Sequence, residues 1–357
     1  MLENDMKAQG SAQAIHQPDL SIIIPVFNTE EDFLKGCLSS VAGCFDVGIS
    51  PEVIVVDDGS ESDCVKMLHS LVDEFVPFAL LVSKENGGQN SARNLGLRYA
   101  TGRYVLFLDS DDMLIPDELS ETLSAALKYT PEIICFNFYR VDESGEIMAR
   151  ADAWEGGFTW VDPSDVLFES DSLSRQLYRS DVFRKAGISL VEGPRIGEDM
   201  ASAVPLLLAA ESVATIGCSP YLYLQRASSA LHSVSESRVS DILDAATQML
   251  ARIPDEQQSR YKREIEGLCI EHVVYWGSVR AADICGPEAR FRVLMGSWMD
   301  EHFPLWRVSV GADRAKKKFG LGYILLSSGH WKAYLFFSRT KRIFARSLNI
   351  LRQQLRR

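Results

Sequence analysis

The chain has 357 residues, 46% hydrophobic and 24% charged, a composition typical of a globular protein with a sizeable core. Its net charge of −12 argues against general nucleic-acid binding, which needs a basic surface. No run of about 18 apolar residues predicts a membrane-spanning helix. Seven scattered cysteines without a C-x-x-C pair indicate reduced thiols rather than a disulfide framework or a zinc site.

The charge is distributed unevenly along the chain. Residues 311–357 hold 12 lysines and arginines against one acid, a net of +11, and the remaining 25 basic and 48 acidic residues give −23. This asymmetry suggests two surfaces with different partners. The sequence predicts four parts: a disordered tail without a secretory signal (1–19), an α/β domain (20–235), a helical accessory region (236–310) and a basic amphipathic tail (311–357).

The first half of the chain alternates between strands and helices. A continuous apolar run at 20–27 predicts a strand buried on both faces, and Thr29 is the expected N-cap of the next helix. Further strands are expected at 52–56, 78–82, 103–108 and 133–139, further helices at 62–75, 91–100 and 117–128, and a hairpin turn at 143–146. This order predicts an α/β fold with a mostly parallel sheet flanked by helices, where ligands bind beyond the carboxyl ends of the strands.

The acidic segment Asp109-Ser110-Asp111-Asp112 follows the fourth predicted strand and is the strongest chemical signal. Carboxylates this close repel one another, and a bound cation relieves the repulsion. Mg²⁺ or Mn²⁺ prefers oxygen ligands and often shares them with substrate phosphates. An arbitrary D-x-D is more often a solvated turn with capping aspartates, but the buried strand before this one favours a metal site.

Two loops near the first strands also carry polar groups. Asp57-Asp58-Gly59-Ser60 closes the second strand, where a carboxylate can accept hydrogen bonds from a nucleoside, although an Asp-Gly turn explains it equally well. The loop at 86–88 opens a helix that carries Arg93 about one turn in. Such a helix start suits an anion or a base, and the alternative is an ordinary loop and cap.

Two pairs of polar residues come later. Glu198 and Asp199 precede an apolar helix at 203–210, either as helix caps or, for Asp199, as a general base. Arg226 and His232 can bring a cation and an imidazole to a leaving diphosphate, or can be surface residues without such a role.

The order of these segments is more specific than any one of them. They are IPVFN at 24–28, VDDGS at 56–60, NGG and ARN within 86–94, LDSDD at 108–112 and ED at 198–199. In this order they resemble the family 2 glycosyltransferases of the GT-A fold. The resemblance covers about 20–235, roughly two-thirds of the chain, and it implies a Rossmann-like GT-A domain followed by a helical C-terminal region.

The resemblance implies roles for the matching residues. Donor-binding residues are expected at Pro25, Phe27 and Glu30 along the nucleotide, Asp58 at the base, Arg93 near the base and ribose, Asp109 at the ribose and Arg226 at the diphosphate. Metal ligands are expected at Asp111, Asp109 and His232, with Asp112 as an auxiliary. Asp199 matches the catalytic base, and Glu198 is expected to orient the acceptor.

These matches imply an inverting, hexosyltransferase-like enzyme that depends on Mg²⁺ or Mn²⁺. It would move a sugar from a nucleotide-diphosphate donor, with a UDP-sugar favoured, to a hydroxyl of a glycan or lipid-linked glycan in bacterial cell-surface polysaccharide synthesis. The Q-x-x-R-W motif of processive synthases is missing, which favours single additions. A homo-oligomer is compatible with the sequence.

Two other interpretations remain open. A nucleotidyltransferase would need a glycine-rich loop after the first strand, and a haloacid-dehalogenase-type phosphatase would need D-x-D-x-T there; this chain has Pro25-Val26-Phe27-Asn28 instead, and no P-loop or G-x-G-x-x-G signature. A non-catalytic nucleotide-sugar-binding subunit of a glycan assembly complex would keep the fold. The intact acidic residues at 58, 109, 111 and 199 count against it.

The basic tail has the spacing of an amphipathic helix. One face carries Phe337, Phe344, Leu348, Leu351 and Leu355, and the opposite face carries Arg339, Arg342 and Arg346. Such a helix suits an anionic membrane surface, with Trp331, Tyr334 and Phe336 as interfacial aromatics. We expect a cytoplasmic protein associated peripherally with the inner face of the plasma membrane. Docking of this face on the acidic body or on a partner subunit is the alternative.

Overall fold

A computed structural model describes residues 17–185, 187, 189–226, 240–285 and 289–338. Most of the predicted N-terminal tail, His232 and the residues from 339 onward lie outside the described residues, so the prediction of an amphipathic helix at 339–357 stays a prediction.

In the described residues, ten strands form one mixed sheet. They are β1 (Leu20–Val26), β2 (Glu52–Asp57), β3 (Leu80–Ser83), β4 (Tyr104–Phe107), β5 (Met113–Leu114), β6 (Ile133–Val141), β7 (Ile147–Ala151), β8 (Thr159–Val161), β9 (Gln176–Arg179) and β10 (Val213–Leu224). Their order is β3-β2-β1-β4-β9-β6-β10-β5, with β7 paired to β6 and β8 paired to β10.

The fold class is confirmed, with one difference in the sheet. β3, β2, β1 and β4 run parallel, as the alternation of strands and helices predicts. Beyond β4 the short strand β9 is antiparallel to both β4 and β6, so the sheet is mixed rather than mostly parallel. The predicted turn at 143–146 joins β6 to β7, with Asp142 N donating to Glu146 O.

The helices of the first 226 residues cover the two faces of the sheet. They are α1 (Glu31–Asp46), α2 (Ser62–Phe75), α3 (Gln89–Tyr99), α4 (Pro116–Tyr129), α5 (Pro163–Val166), α6 (Asp181–Lys185) and α7 (Glu198–Ala209). Side chains of β1 alternate between two cores: Ile22 and Ile24 pack with α1, α2 and α4, and Ile23 packs with α3 and α7. Burial of both faces explains the continuous apolar run of this strand.

The prediction that Thr29 caps the first helix is wrong. Its hydroxyl lies 2.6 Å from the Ser110 hydroxyl, and Glu30 takes the cap position without a side-chain cap bond. The Thr29 side chain therefore ties the end of β1 to the acidic turn after β4.

The C-terminal part is helical, as predicted. It comprises α8 (Asp241–Arg252), α9 (Asp255–Arg260), α10 (Lys262–Cys269), a π-helix (Ile270–Gly277), α11 (Ser278–Cys285), α12 (Ala289–His302), α13 (Val310–Phe319), α14 (Leu321–Ser327) and a final helix at 331–338. No helix in the described part is long and apolar enough to cross a membrane.

The described part of the basic tail packs against the body. Gly311 in α13 contacts Gly267 in α10, because neither residue has a side chain to separate the two backbones. Trp331 and Tyr334 are 3% and 6% exposed, so they are core residues and not the expected interfacial aromatics. Phe336 is 73% exposed and lies at the surface.

Candidate active site

A cavity of about 580 Å³ opens at the carboxyl edge of the sheet. The predicted residues that line it are Pro25, Phe27, Asp58, Asp109, Asp111, Glu198, Asp199 and Arg226. They come from the ends of β1, β2, β4 and β10 and from the start of α7. Residues up to about 200 positions apart in the chain therefore meet at one opening, as strand ends of a parallel array do.

Arg93 in α3 joins the acidic turn to the start of α7. Its Nη2 donates to Asp109 Oδ1 over 2.6 Å, and its Nη1 donates to Asp199 Oδ1 over 2.7 Å. The Arg93 side chain has no exposed surface. Buried cations are stable only when paired and hydrogen-bonded, and the two carboxylates meet this need.

This geometry corrects the prediction that Arg93 binds the donor near the base and ribose. Arg93 does not line the cavity, and its charged nitrogens are directed to Asp109, Asp199 and the amide oxygen of Asn90. It lies beneath the cavity floor, where it positions two carboxylates.

Asp58 holds the loop that follows β3. Its Oδ1 accepts from Lys84 Nζ and Gly87 N at 2.8 and 3.0 Å, and its Oδ2 accepts from Gly88 N at 2.8 Å. Gly88 has φ of +92°, a backbone conformation that favours glycine. The carboxylate predicted to read a base thus shapes the loop at 86–88, and with 2% exposure it has little surface to offer a ligand.

Asp111 lines the cavity and pairs with Arg226, which follows the end of β10. The Arg226 guanidinium also lies 4.0 Å from Glu30 and 5.1 Å from the centre of the Phe33 ring. The end of β10 is therefore held over the acidic turn and the start of α1. His232, the third predicted metal ligand, lies outside the described residues.

Asp112 is a buried anchor rather than an auxiliary ligand. It is 1% exposed; its Oδ2 accepts from the Tyr221 hydroxyl at 2.7 Å and its Oδ1 from Leu224 N at 2.7 Å. The Tyr221 hydroxyl in turn accepts from Asp109 N at 3.2 Å. These bonds fix the acidic turn to β10.

Three carboxyl groups of the site have raised pKa values: those of Asp109, Glu198 and Asp112. Burial raises the pKa of Asp109 to about 6, helped by the negative charges of Asp199 and Asp111, although Arg93 opposes the shift. Burial and then the charge of Asp199 raise the pKa of Glu198 to about 7. Burial, together with Asp109 and Asp111, raises the pKa of Asp112 well above its usual value. Negative charge is therefore costly here.

The acidic turn fits a divalent cation shared with a ligand. Within the described residues, no three His, Cys, Asp or Glu side chains are arranged as a metal cage. Asp111 Oδ2 bonds to Arg226, while the described residues place no hydrogen bond on its Oδ1. Since Mg²⁺ is often held by one or two carboxylates plus substrate phosphates, Asp111, with Asp109 beside it, is a suitable donor set.

The segment at 189–198 is tied to α3 by two asparagines. Asn90 Nδ2 donates to Val191 O at 2.9 Å, and Asn94 Nδ2 donates to Leu190 O at 3.0 Å. Asn94 Oδ1 accepts from Leu190 N at 2.9 Å. The segment that these bonds hold in place forms the wall of the cavity before Glu198.

Several lining residues were missed at the sequence level. Ser172 Oγ donates to Asp199 Oδ2 at 3.0 Å, and Arg140, Arg175 and Arg195 also line the cavity. Arg140 lies at the carboxyl end of β6, a position that could have identified it. Arg175 and Arg195 stand in loops where the sequence gives no such signal.

Residues 21–182 match the family described as "Glycosyl transferase family 2". The chain contains a glycosyl transferase family 2 domain. The family predicted from the order of the acidic segments is thereby confirmed, and with it the enzyme class to which the domain belongs.

Curated relatives agree with this family. The domain is similar to an "Uncharacterized glycosyltransferase" of Haemophilus influenzae, 34% identical over 32% of this chain and 44% of the relative. It is also similar to "Glycosyltransferase GlyA" of Streptococcus pneumoniae, 26% identical over 65% of this chain and 34% of the relative. The chain therefore spans less than half the length of these two relatives.

A solved structure extends the likeness to nearly the whole chain. The crystal structure of S. aureus TarS 1-349 in complex with UDP-GlcNAc matches 91% of this chain and 91% of its own, with a TM-score of 0.65 and 16% identity. At this identity the match establishes the GT-A fold, including the helical C-terminal region.

Proposed function

We propose that this protein is a metal-dependent, inverting glycosyltransferase. It would move a sugar from a nucleotide-diphosphate donor to a hydroxyl of a glycan or lipid-linked glycan in cell-surface polysaccharide synthesis. The observation that carries the proposal is the Arg93 bridge, which puts Asp199 and the acidic turn on one cavity floor. A base and a phosphate-binding site within one cavity are what direct sugar transfer needs.

The donor would occupy the half of the cavity formed by β1, β2 and β4. Phe27 is 49% exposed and offers an apolar face beside the backbone of the loop at 86–88. A UDP-sugar is the favoured donor, because the TarS structure of similar fold contains UDP-GlcNAc. Asp109 and Asp111 would face the ribose and diphosphate.

The acceptor hydroxyl must lose its proton as it attacks the anomeric carbon. Asp199 would take this proton, since its carboxylate is 28% exposed to the cavity and is oriented by Arg93 and Ser172. The displacement inverts the anomeric centre because a single attack, without a covalent sugar–enzyme intermediate, replaces one bond by another. Glu198 would orient the acceptor from the adjacent position.

The leaving nucleoside diphosphate gathers negative charge as its bond to the sugar breaks. Arg226 lines the cavity and would stabilise this charge. A divalent ion bound at Asp111, with Asp109 nearby, would supply Lewis-acid stabilisation of the same oxygens. Arg226 would then exchange its pairing with Asp111 for one with the diphosphate.

A thermal-shift panel tests the proposal. UDP-, GDP- and dTDP-sugars are added to the purified protein with Mn²⁺, Mg²⁺ or a chelator. We expect one nucleotide class to raise the unfolding temperature only with metal, because ligands that bind the folded state alone stabilise it. A protein that ignores all three classes in the presence of metal would rule out the donor assignment.

A non-catalytic nucleotide-sugar-binding subunit is the competing function. Its cavity would bind the donor equally well, so binding cannot separate the two. Slow hydrolysis of the donor by the protein, lost in Asp199→Asn, supports catalysis. Donor binding without hydrolysis or transfer in the presence of acceptor extracts would favour the binding subunit.

The described C-terminal helices also support peripheral membrane association. Leu305, Val308 and Val310 are 73%, 80% and 68% exposed, three large apolar side chains within six residues. Lys316, Lys317 and Lys318 follow on α13 and are exposed. Apolar side chains beside cations suit an anionic lipid surface. We propose that this surface, together with the tail beyond 338, contacts the inner face of the plasma membrane.

A further inference from the structure

The cavity is lined by carboxylates and by arginines. Asp58, Asp109 and Asp111 line it at the ends of β2 and β4, where we place the donor, and Arg226 pairs with Asp111 there. Three further arginines line the cavity together with Phe138 and Tyr223, and Glu192, Glu198 and Asp199 also line it; these arginines, here called the basic wall, are Arg140, Arg175 and Arg195. Since the proposed donor binds at the acidic strand ends through its metal-bound diphosphate, the basic wall faces a different ligand.

Two of the three arginines lie against the same aromatic ring. The Arg140 and Arg175 guanidinium carbons lie 5.6 and 4.5 Å from the centre of the Phe138 ring. Phe138 is 5% exposed, so the ring is held by the sheet. A cation is attracted to an aromatic face, and this contact keeps both guanidinium groups at the wall of the cavity.

These arginines form no close ion pair within the described residues, although the charge of Arg175 acts on the nearby Asp171 carboxyl group. None of Arg140, Arg175 and Arg195 forms an ion pair there, whereas Arg93 and Arg226 pair with carboxylates of the same site. The Nη1 of Arg175 donates to the Glu169 carbonyl at 3.0 Å, and nearby Asp171 bonds to His272 instead. Outside the basic tail the chain carries a net charge of −23. These arginines are therefore not left without an ion pair by a shortage of carboxylates.

Ser172, which orients the proposed base Asp199, is close in sequence to Arg175 of the basic wall. Ser172 Oγ donates to Asp199 Oδ2 at 3.0 Å and lies 3.1 Å from Ser174 Oγ, and Arg175 is the next residue. An acceptor whose hydroxyl reaches Asp199 therefore extends along Arg175 and Arg140. Guanidinium groups bind phosphate and carboxylate through paired N–H donors.

We infer that the acceptor is anionic: it carries a phosphate or carboxylate group close to the hydroxyl that is glycosylated, and Arg140, Arg175 and Arg195 bind that group. This inference rests on the proposed function, because Asp199 as base defines the acceptor side. It narrows the acceptor from any glycan to an acidic or phosphate-bearing one.

Calorimetric titration at constant ionic strength tests the inference. Protein saturated with UDP and Mn²⁺, which fill the donor half, is titrated with glycerol 3-phosphate, glucuronate or glucose. We expect at least one anion to bind about tenfold more tightly than glucose, since hydrogen bonds to charged groups are stronger than those between neutral groups. The stronger of the two anions identifies phosphate or carboxylate as the acceptor group.

Variants assign the binding to the basic wall. The combined Arg140→Gln, Arg175→Gln and Arg195→Gln variant should lose the preference for the anion and keep its affinity for UDP. Arg98→Gln is the matched control, because Arg98 is exposed on α3 and does not line the cavity. An unchanged thermal unfolding midpoint shows that the triple variant remains folded.

Three outcomes separate the possibilities. Equal binding of glucose and both anions by the wild type would overturn the inference. A parallel loss of UDP affinity in the triple variant would also overturn it, since the arginines would then serve the donor. Selective anion binding by a wild type that binds no nucleotide would support the anion site and contradict the proposed function.

Discussion

Arg93 and Asp199 are 106 residues apart in sequence, and their side chains meet over 2.7 Å at the floor of the cavity. The other terminal nitrogen of Arg93 bonds to Asp109, so one buried cation sets the position of the proposed base relative to the acidic turn. Burial raises the pKa of Asp109, and the positive charge of Arg93 opposes that rise.

The first prediction concerns this cation. Arg93→Leu leaves Asp109 and Asp199 without their shared partner, and breaking a buried pair costs roughly 3–5 kcal/mol of folding free energy. Urea denaturation measures the loss. Arg98→Leu on the exposed face of the same helix should change stability little. An Arg93→Leu protein as stable as the wild type would show that the bridge contributes nothing.

The second prediction separates chemistry from donor binding. Asp199→Asn keeps an oxygen that accepts from Arg93 but cannot take a proton, so turnover should fall roughly 10²- to 10⁴-fold. The affinity for UDP should be nearly unchanged, as measured by calorimetric titration. Asp63→Asn, at an exposed position of α2, is the control. A parallel loss of donor affinity would argue against Asp199 as the base.

The sequence predicts the fold and most of the site for a definite reason. Apolar runs followed by acidic turns mark strand ends, and strand ends of a parallel array converge, so Asp58, Asp109 and Asp111 could be placed together. The order of the segments along the chain allowed Asp199 to be assigned to the same site. Each of these signals is local or depends on the chain order.

Other features depend on contacts that no local pattern reveals. The role of Arg93 could not be predicted, since its helix position indicates a ligand contact as readily as burial. The resemblance implies that Asp112 is an auxiliary to the metal ligands, but its two oxygens accept hydrogen bonds from Tyr221 and Leu224 instead. The antiparallel strand β9 is only four residues long and carries no turn signal of its own.

The third prediction distinguishes Asp111 from its neighbour. Asp111→Asn should raise the Mn²⁺ concentration needed for UDP binding by roughly tenfold or more, as the loss of a metal ligand or its support typically does. Asp112→Asn should instead lower the unfolding midpoint and leave the metal requirement unchanged, because Asp112 is bonded within the protein. Titration of Mn²⁺ at fixed UDP measures both. Activity that is indifferent to chelators would remove the metal assignment.

The fourth prediction concerns the exposed apolar segment before α13. Full-length protein carrying Leu305→Ser, Val308→Ser and Val310→Ser should bind anionic vesicles at least tenfold more weakly, because tenfold corresponds to about 1.4 kcal/mol and the burial of even one such side chain contributes about 1.5–3 kcal/mol. Sedimentation with phosphatidylglycerol vesicles measures the change. Ile147→Ser with Met148→Ser, at exposed positions of β7, is the matched control. A wild-type protein that ignores these vesicles would contradict membrane association.

The last prediction follows from the pKa of Glu198, which burial and the charge of Asp199 raise to about 7. The same carboxyl group in the unfolded chain has a pKa of about 4.3. Between these two values the folded protein holds a proton that the unfolded chain has released, so the free energy of unfolding falls as pH rises.

Glu198→Gln should remove this slope, because the amide does not titrate, and it should be relatively more stable above neutral pH. Urea denaturation of both proteins between about pH 5 and pH 8 measures the difference, with Glu31→Gln at an exposed position of α1 as the control. Equal slopes in the wild type and Glu198→Gln would mean that Glu198 is ionised in the folded protein at ordinary acidic pH. The positive charges of Arg93 and Arg280, which both act on Glu198, would then offset its burial beside Asp199.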